Sequence, residues 1–182
     1  MLASASPRRR EICEQLGLKF TVLPAKTELP ADPALSVEDA ILQVARGKAQ
    51  EIAALHPETA VLGADTAVVL DGKILGKPEN PDDAARMLRL LSGRTHKVVT
   101  GVWLCRGDEG DGFADTAEVT FFSLSDDEID AYIATGEPLD KAGAYGIQGY
   151  GARFIEKLNG DFYTVMGLPS GRLYRFLKEH LG

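Results

Sequence analysis

Apolar positions along this chain recur with two different spacings, and each spacing predicts a different kind of element. Where apolar residues return every three or four positions, the pattern predicts five helices. Four of these helices follow a residue that caps a first turn, namely Ser6, Ser36, Asn80 and Ser125. The fifth begins at Ser170 and is expected to turn four apolar side chains inward, Leu173, Phe176, Leu177 and Leu181.

Short apolar runs between turn residues predict the strands. One strand is predicted over residues 18–24, and three longer ones over AVLGADTAVVL, THKVVTGVWLC and FADTAEVTFFSL. An Asp-Gly pair at 71–72 predicts a hairpin turn into a short return strand, and an Asn-Gly pair at 159–160 predicts another hairpin. Residues 106–112 are predicted to form an acidic solvated loop. Helices and strands in this irregular order indicate an α/β fold, with a mixed sheet flanked by helices.

The amino-acid composition is typical of a soluble globular protein, and it argues against some classes of binding partner. Of the 182 residues, 45% are hydrophobic and 26% are charged, which supports a single domain over residues 1–182. The net charge of -7 argues against a nucleic-acid polymer as partner, yet it leaves room for a local basic pocket. The sequence shows neither a membrane-length apolar run nor a signal-peptide layout. With Cys13 and Cys105 expected as reduced thiols, we expect a cytoplasmic protein without a membrane partner.

Three arginines occupy the first turn of the first predicted helix, directly after Ser6 and Pro7. This end of a helix favours acids, because its free N–H groups and the helix dipole are positive. Either a bound anion such as phosphate neutralises the arginines, or they form a solvated basic face. A second cation, Lys48, falls on the apolar stripe of the second helix, where it must snorkel, pair or face a cleft. Lys77 alone would be an ordinary surface lysine.

Asp65 is the strongest single signal of chemistry, because it lies inside an apolar run typical of a buried strand. A carboxylate in such a place costs several kcal/mol unless it is paired, hydrogen-bonded or bound to metal. Asp65 is therefore a structural aspartate, a metal ligand or a base for water. Glu28, in a polar loop, could supply a second carboxylate to a hard cation such as Mg²⁺.

A glycine-rich stretch over residues 136–151 would let the backbone approach a ligand closely. It matches neither the P-loop nor the dinucleotide spacing, and Asp140, Lys141 and Gln148 add polar groups beside it. His96 could titrate or contact a phosphate, although a structural role is the more common one for an isolated histidine.

Five blocks of sequence together resemble the Maf family of nucleoside triphosphate pyrophosphatases, which are also known as septum-formation inhibitors. The blocks are LASASPRRREI, GADTAVVLDGKILGKP, LSGRTHKVVTGV, TGEPLDKAGAYGIQGYGARFIE and GDFYTVMGLP. The resemblance implies one two-lobed α/β domain with a mixed sheet and a central cleft, similar to the inosine triphosphate pyrophosphatases. It also implies cleavage between the α- and β-phosphates with a divalent metal, Mg²⁺ or Mn²⁺. A homodimer and a division-related protein partner are expected on the same ground.

The resemblance also assigns site residues by position. Asp65 matches the proton acceptor, and Glu28 matches a loop glutamate that is a metal or catalytic partner, so both are candidate metal ligands. The polar and basic residues of the phosphate cleft correspond to Ser6, Arg8, Arg9, Lys48 and Lys77, of which Lys77 is also a catalytic candidate. Substrate choice is linked to Arg8, Thr66 and Gln148. Arg8 and Thr66 are similar to the branch that hydrolyses dTTP and UTP rather than to the branch that prefers 7-methyl-GTP.

The expected reaction is an in-line attack of water on the α-phosphorus, giving a monophosphate and pyrophosphate. Asp65 either takes the proton of the water or holds the metal that lowers its pKa, and the sequence leaves both roles open. Gln148 and the glycine-rich loop are expected to recognise the base. The alternative from another class is a non-catalytic nucleotide sensor that regulates septum formation. Such a sensor needs the basic residues but not Asp65, so the sequence favours the enzyme.

Overall fold

A computed structural model describes residues 1–27 and 30–182 of the chain, so the candidate Glu28 lies outside the described residues. The helices are α1 (Pro7–Gln15), α2 (Val37–Leu55), α3 (Pro81–Leu91), α4 (Asp126–Ile133), α5 (Phe162–Met166) and α6 (Ser170–Leu181). The strands are β1 (Val61–Leu70), β2 (Lys73–Leu75), β3 (Thr95–Arg106), β4 (Glu109–Phe121) and β5 (Ile155–Asn159). Three short 3-10 turns, Glu137–Asp140, Ala142–Ala144 and Gly149–Phe154, lie between α4 and β5. The predicted α/β class is confirmed.

The strands form one five-stranded sheet in the order β2-β1-β3-β4-β5. β1 pairs with β2 in the antiparallel direction through the predicted turn, where Asp71 and Gly72 both have positive φ. β4 and β5 are also antiparallel, with an irregularity at Thr120/Phe121. Outside this sheet's strand pairs, isolated parallel bridges join Leu2 to Val22 and to Leu62.

The predicted helix starts are confirmed by their hydrogen bonds. Ser6, Ser36, Asn80 and Ser125 each accept a hydrogen bond from the backbone N–H three residues further on. At Ser125 the reciprocal bond is also present, because the Glu128 carboxylate accepts from the Ser125 N–H at 2.8 Å. Each cap satisfies donors that the first turn of a helix leaves free.

The described residues divide into two compact units. The first comprises Met1–Thr66, Thr100–Asp115 and Tyr163–Gly182, and the second comprises Ala67–Val99 and Thr116–Phe162. Within the described part of the chain, no helix is both long and apolar enough to cross a membrane. Cys13 and Cys105 are free, buried thiols, as expected, and burial raises the pKa of Cys13 to about 11.

In the first unit, helix α2 lies unusually close to the sheet. A Cβ atom added at Gly63 of β1 would stand 2.8 Å from the Ala49 nitrogen, and one added at Gly101 of β3 would stand 2.8 Å from the Ile41 oxygen. Both distances are shorter than van der Waals contact, so only glycine fits at these two positions. The buried face of α2 therefore rests on the strand backbones.

In the second unit, a cluster of aromatic rings packs within a core that also contains many aliphatic side chains. His96, Phe121 and Tyr145 meet edge to face, with ring centroids 4.7–5.3 Å apart, and Tyr132 packs on Phe154 in the same way at 5.0 Å. His96 is 2% exposed and its Nε2 lies 2.7 Å from the Tyr145 hydroxyl. Of the two roles considered for His96, the structure supports the structural one.

Three sequence predictions about the elements were wrong. Residues 18–24 are not a strand, because their only bridge joins Val22 to Leu2. Residues 106–112 are not a loop, because β3 and β4 continue into solvent and a tight turn with positive φ at Gly107 joins them. The hairpin at 159–160 is replaced by helix α5 after the first strand, since a five-residue segment is too short to reveal its period. In α6, Leu173 and Leu177 are buried as expected, but Leu181 is half exposed.

The glycine contact of α2 gives a first prediction. We expect Gly63→Ala to lower the free energy of unfolding by about 1–3 kcal/mol, because the added methyl group must push α2 away from β1. Gly171→Ala is the control, because Gly171 lies in α6 with nothing within 4 Å of an added Cβ. This second change should be neutral or stabilise by about 0.5–1 kcal/mol. Urea unfolding of both variants measures the difference, and equal stabilities would contradict the packing argument.

The burial of His96 gives a second prediction, on pH. Burial lowers the pKa of His96 from 6.5 to about 4. Between these values the unfolded chain binds a proton that the native state does not, so stability falls as the pH drops from 6.5 to 4. The full loss is about 3 kcal/mol. We expect His96→Gln to show a weaker loss than the wild type over this window in unfolding experiments, and an equal loss in the two proteins would contradict the burial argument.

Candidate active site

The three arginines at the start of α1 do not act as one group. Arg10 pairs with Glu14 at 2.8 Å on the exposed side of the helix, which is the solvated arrangement. Arg8 and Arg9 turn the other way and donate from Nε to the Met166 and Gly167 carbonyls at 3.3 and 2.8 Å. The C-terminal end of α5 therefore holds both guanidinium groups, and α1 contributes no acid in its first turn to neutralise them.

Arg9 is fixed by three acceptors. Besides the Gly167 carbonyl, its Nη1 donates to Ser4 Oγ at 3.1 Å and its Nη2 to Thr66 Oγ1 at 3.0 Å. Burial lowers the pKa of Arg9 and the nearby Asp65 charge raises it, but an arginine stays protonated at neutral pH. A guanidinium has five N–H groups, so two donors remain for an anion.

Asp65 and Lys48 form the central ion pair. Lys48 Nζ donates to Asp65 Oδ1 at 2.5 Å, and both side chains are about one-fifth exposed. The lysine on the apolar stripe of α2 therefore pairs instead of snorkelling, and it compensates the carboxylate that the sequence identified inside β1. Among the described residues, the other Asp65 oxygen has no hydrogen-bond partner. The next residue of β1, Thr66, contacts Arg9, so the pair and the guanidinium lie side by side.

The described residues of the first unit fit a divalent metal in a mode in which the nucleotide supplies most of the oxygen ligands. Among the described residues, there is no group of three or more His, Cys, Asp or Glu side chains that could hold a metal ion. Mg²⁺ keeps several waters and commonly uses one or two carboxylates together with substrate phosphates. Asp65, with its second oxygen available, fits that mode as a single protein ligand.

The remaining candidates, Lys77 and Gln148, are exposed residues of the second unit. The loop around Gln148 is held by a carboxylate that the sequence did not single out. The Glu137 carboxylate accepts from the Tyr150 and Gly151 N–H groups at 2.9 and 3.1 Å and from the Tyr132 hydroxyl at 2.8 Å. Burial alone would raise the pKa of Glu137, but these hydrogen bonds lower it overall. Gln148 is therefore presented by an anchored loop.

The glycines of this loop are needed for close packing within the protein, because neighbouring atoms occupy the space of a Cβ atom. A Cβ at Gly143 would stand 2.9 Å from Val68, and one at Gly151 would stand 2.8 Å from the Tyr132 hydroxyl. The Gly146 N–H donates to the same hydroxyl at 3.2 Å. The close approach to a ligand that the sequence suggested stays a prediction, because these glycines already have a packing role.

Four residues that build the site were missed by the sequence reasoning: Ser4, Thr100, Gly167 and Glu137. Thr100 interrupts the apolar run of β3 much as Asp65 interrupts β1, so the same pattern would have found it. Ser4, Gly167 and Glu137 lie within blocks that resemble the family, but nothing in their own spacing marks them.

The comparisons with known proteins agree with this geometry. The model of a family described as Maf-like protein matches residues 1–180, so the chain belongs to the Maf-like family. Among curated relatives, a dTTP/UTP pyrophosphatase of Bacillus velezensis is 48% identical over 98% of this chain and 95% of its own length. The dTTP/UTP pyrophosphatase of Bacillus cytotoxicus is 49% identical over 98% of this chain and 94% of its own.

A solved structure gives the fold independently. The Staphylococcus aureus Ham1 protein matches with a TM-score of 0.51 at 14% identity, and the match covers 98% of this chain and 97% of that one. At this identity the likeness shows the fold alone, which agrees with the α/β class found here.

Gly167 gives a prediction about the two arginines. Its φ is +114°, and an added Cβ would lie 3.3 Å from Thr66 Oγ1 and 3.6 Å from Arg9 Nε. We expect Gly167→Ala to strain the turn whose carbonyl holds Arg9 and to press on the Thr66 hydroxyl, and so to lower kcat/KM by about tenfold to a hundredfold. Gly17→Ala is the matched control, because Gly17 also has positive φ (+70°) but nothing within 4 Å. This control should lose about 1–2 kcal/mol of stability and keep its kcat/KM. Equal kinetic losses in the two variants would show that strain at positive φ alone, and not the place of Gly167 beside Thr66 and Arg9, is responsible.

Proposed function

We propose that this protein hydrolyses dTTP and UTP to the monophosphate and pyrophosphate. The observation that carries the proposal is the Lys48–Asp65 pair beside the fixed Arg9 guanidinium, which joins a partly accessible carboxylate to a cationic cradle. A triphosphate needs such cations, and attack by water needs a carboxylate to take a proton. The names of the curated relatives support the same two nucleotides as substrates.

In the proposed mechanism, each residue of the first unit has a separate task. Arg9 presents its two remaining N–H donors to phosphate oxygens, and Arg8 adds a second guanidinium from the same turn of α1. Lys48 fixes the orientation of Asp65 and adds positive charge beside the phosphates. Asp65 either accepts the proton of the attacking water or holds the metal that activates it. Because these charges are already in place before substrate arrives, they stabilise the transition state without reorganising.

A divalent metal, Mg²⁺ or Mn²⁺, would neutralise phosphate charge and lower the pKa of a bound water. Asp65 is its proposed protein ligand among the described residues, and Glu28 is proposed as a second ligand from the resemblance. Ser6 caps the N-terminus of α1, and it is proposed to contribute to phosphate binding there. Lys77 is proposed to contact phosphate, and Gln148 and Thr66 to contribute to base selection, as the resemblance implies.

Several wider proposals rest on the family alone. We propose that residues 1–182 act as a single catalytic domain, since the family match spans residues 1–180. We propose a homodimer in the cytoplasm, where the two free cysteines would stay reduced, and a role in clearing unwanted nucleotides. A division-related protein partner is proposed on the same basis.

The test is a panel of nucleoside triphosphates with Mg²⁺ or Mn²⁺, including dTTP, UTP, CTP and 7-methyl-GTP, with the products separated by chromatography. We expect dTTP and UTP to yield monophosphate and pyrophosphate, and Asp65→Asn to lower kcat/KM by about a hundredfold or more. Asp71→Asn is the matched control, because Asp71 follows the same strand and pairs with Arg94 on the exposed surface. Its activity should stay within about twofold of the wild type.

Two results would overturn the proposal. Near-native turnover by Asp65→Asn would remove the role given to this carboxylate. Binding of nucleotides without turnover would favour the nucleotide sensor, and preferential cleavage of 7-methyl-GTP would place the protein with the other branch of the family.

A further inference from the structure

A chain of hydrogen bonds leads from Arg9 into the core of the first unit. Arg9 Nη2 lies 3.0 Å from Thr66 Oγ1, which lies 2.9 Å from Thr100 Oγ1 on β3. Thr100 Oγ1 in turn lies 2.7 Å from the backbone carbonyl of Thr164 in α5. Thr100 and Thr164 are both 0% exposed, so no water competes for the contact between them.

The direction of this chain is fixed by the group at its inner end. A carbonyl oxygen can only accept, so the single hydroxyl proton of Thr100 must point at Thr164. In the contact between Thr66 and Thr100, Thr66 must therefore be the donor. The Thr66 oxygen also accepts from Arg9, because a guanidinium can only donate. Its own proton is thus committed to the interior, and a single lone pair remains for any other contact.

The inner end of the chain is held in place on both sides. The Thr164 hydroxyl donates to Asp115 Oδ2 at 2.5 Å, and Arg172 Nη1 holds the other oxygen of that carboxylate at 3.0 Å. The Thr164 carbonyl also accepts from the Gly167 N–H at 3.1 Å. Turning the carbonyl away from Thr100 would break these contacts, so the acceptor stays where it is.

We propose that Thr100 is a positioning residue that sets the polarity of Thr66, so that Thr66 offers the substrate a hydrogen-bond acceptor and no donor. This inference rests on the proposed function, in which Thr66 takes part in substrate selection. The substrate group that meets Thr66 must then be a donor. The N3–H of uracil or thymine and a sugar hydroxyl qualify, whereas a phosphate oxygen, a base carbonyl and the N3 atom of cytosine do not.

The first test asks whether Thr100 acts through Thr66. Thr100→Val keeps the shape but frees the Thr66 proton, and we expect it to lower kcat/KM for UTP about three- to tenfold, mainly through KM. Thr100→Ser restores the hydroxyl and should recover most of the activity. In a Thr66→Val background, the Thr100→Val change should alter kcat/KM less than about twofold. A loss of the same size in both backgrounds, or no recovery with serine, would overturn the proposal.

The second test identifies the donor on the substrate and does not need a Thr100 variant to fold. The wild type and Thr66→Val are compared on UTP, dUTP, 3′-deoxy-UTP and N3-methyl-UTP, which remove one donor at a time. We expect one analogue to lose about tenfold in kcat/KM with the wild type and much less with Thr66→Val, and that analogue names the donor. If every analogue behaves alike in the two proteins, the polarity argument is wrong. Failure of the proposed function looks different, because UTP itself would then not be hydrolysed by the wild type.

Discussion

A partly buried guanidinium that must find acceptors is the constraint around which the first unit is organised. Arg9 takes one acceptor from the N-terminal segment, one from β1 and one from the end of α5, at Ser4, Thr66 and Gly167. These three segments are far apart in sequence, and a cation removed from water is costly unless it is hydrogen-bonded. The need to satisfy one side chain therefore ties together the elements that carry the candidate site, and it leaves Arg9 preorganised for an anion.

Much of the fold could be predicted because local signals agreed with tertiary structure. Capping side chains at Ser36 and Asn80 and the Asp-Gly turn at 71–72 each use contacts within a few residues, so the sequence alone contains them. The wrong predictions lie in segments whose structure is determined by contacts with residues far away in the sequence. Residues 18–24 lack a neighbouring strand beyond Leu2, and residues 162–166 form a helix whose C-terminal end holds the arginines.

The candidate site was predictable where a charged residue interrupts an apolar pattern. Asp65 and Lys48 were identified in this way, and the structure pairs them with each other. Thr100 carries a weaker form of the same signal, since a threonine in a strand is common and becomes notable only with its hydrogen bonds. Glu137 could not be found from its spacing, because its importance lies in backbone N–H groups of residues thirteen and fourteen positions away.

The glycine beneath helix α2 has a consequence for the chemistry as well as for packing. Gly63 and Asp65 are two residues apart on β1, so their side-chain positions lie on the same face of the strand, the face that α2 covers with Ala49 and Lys48. The thickness of this layer, and not the attraction between the charges, sets how far the lysine must reach. The Lys48–Asp65 contact therefore depends on the distance between α2 and β1. Anyone transplanting the carboxylate and lysine into another scaffold would have to transplant the glycine with them.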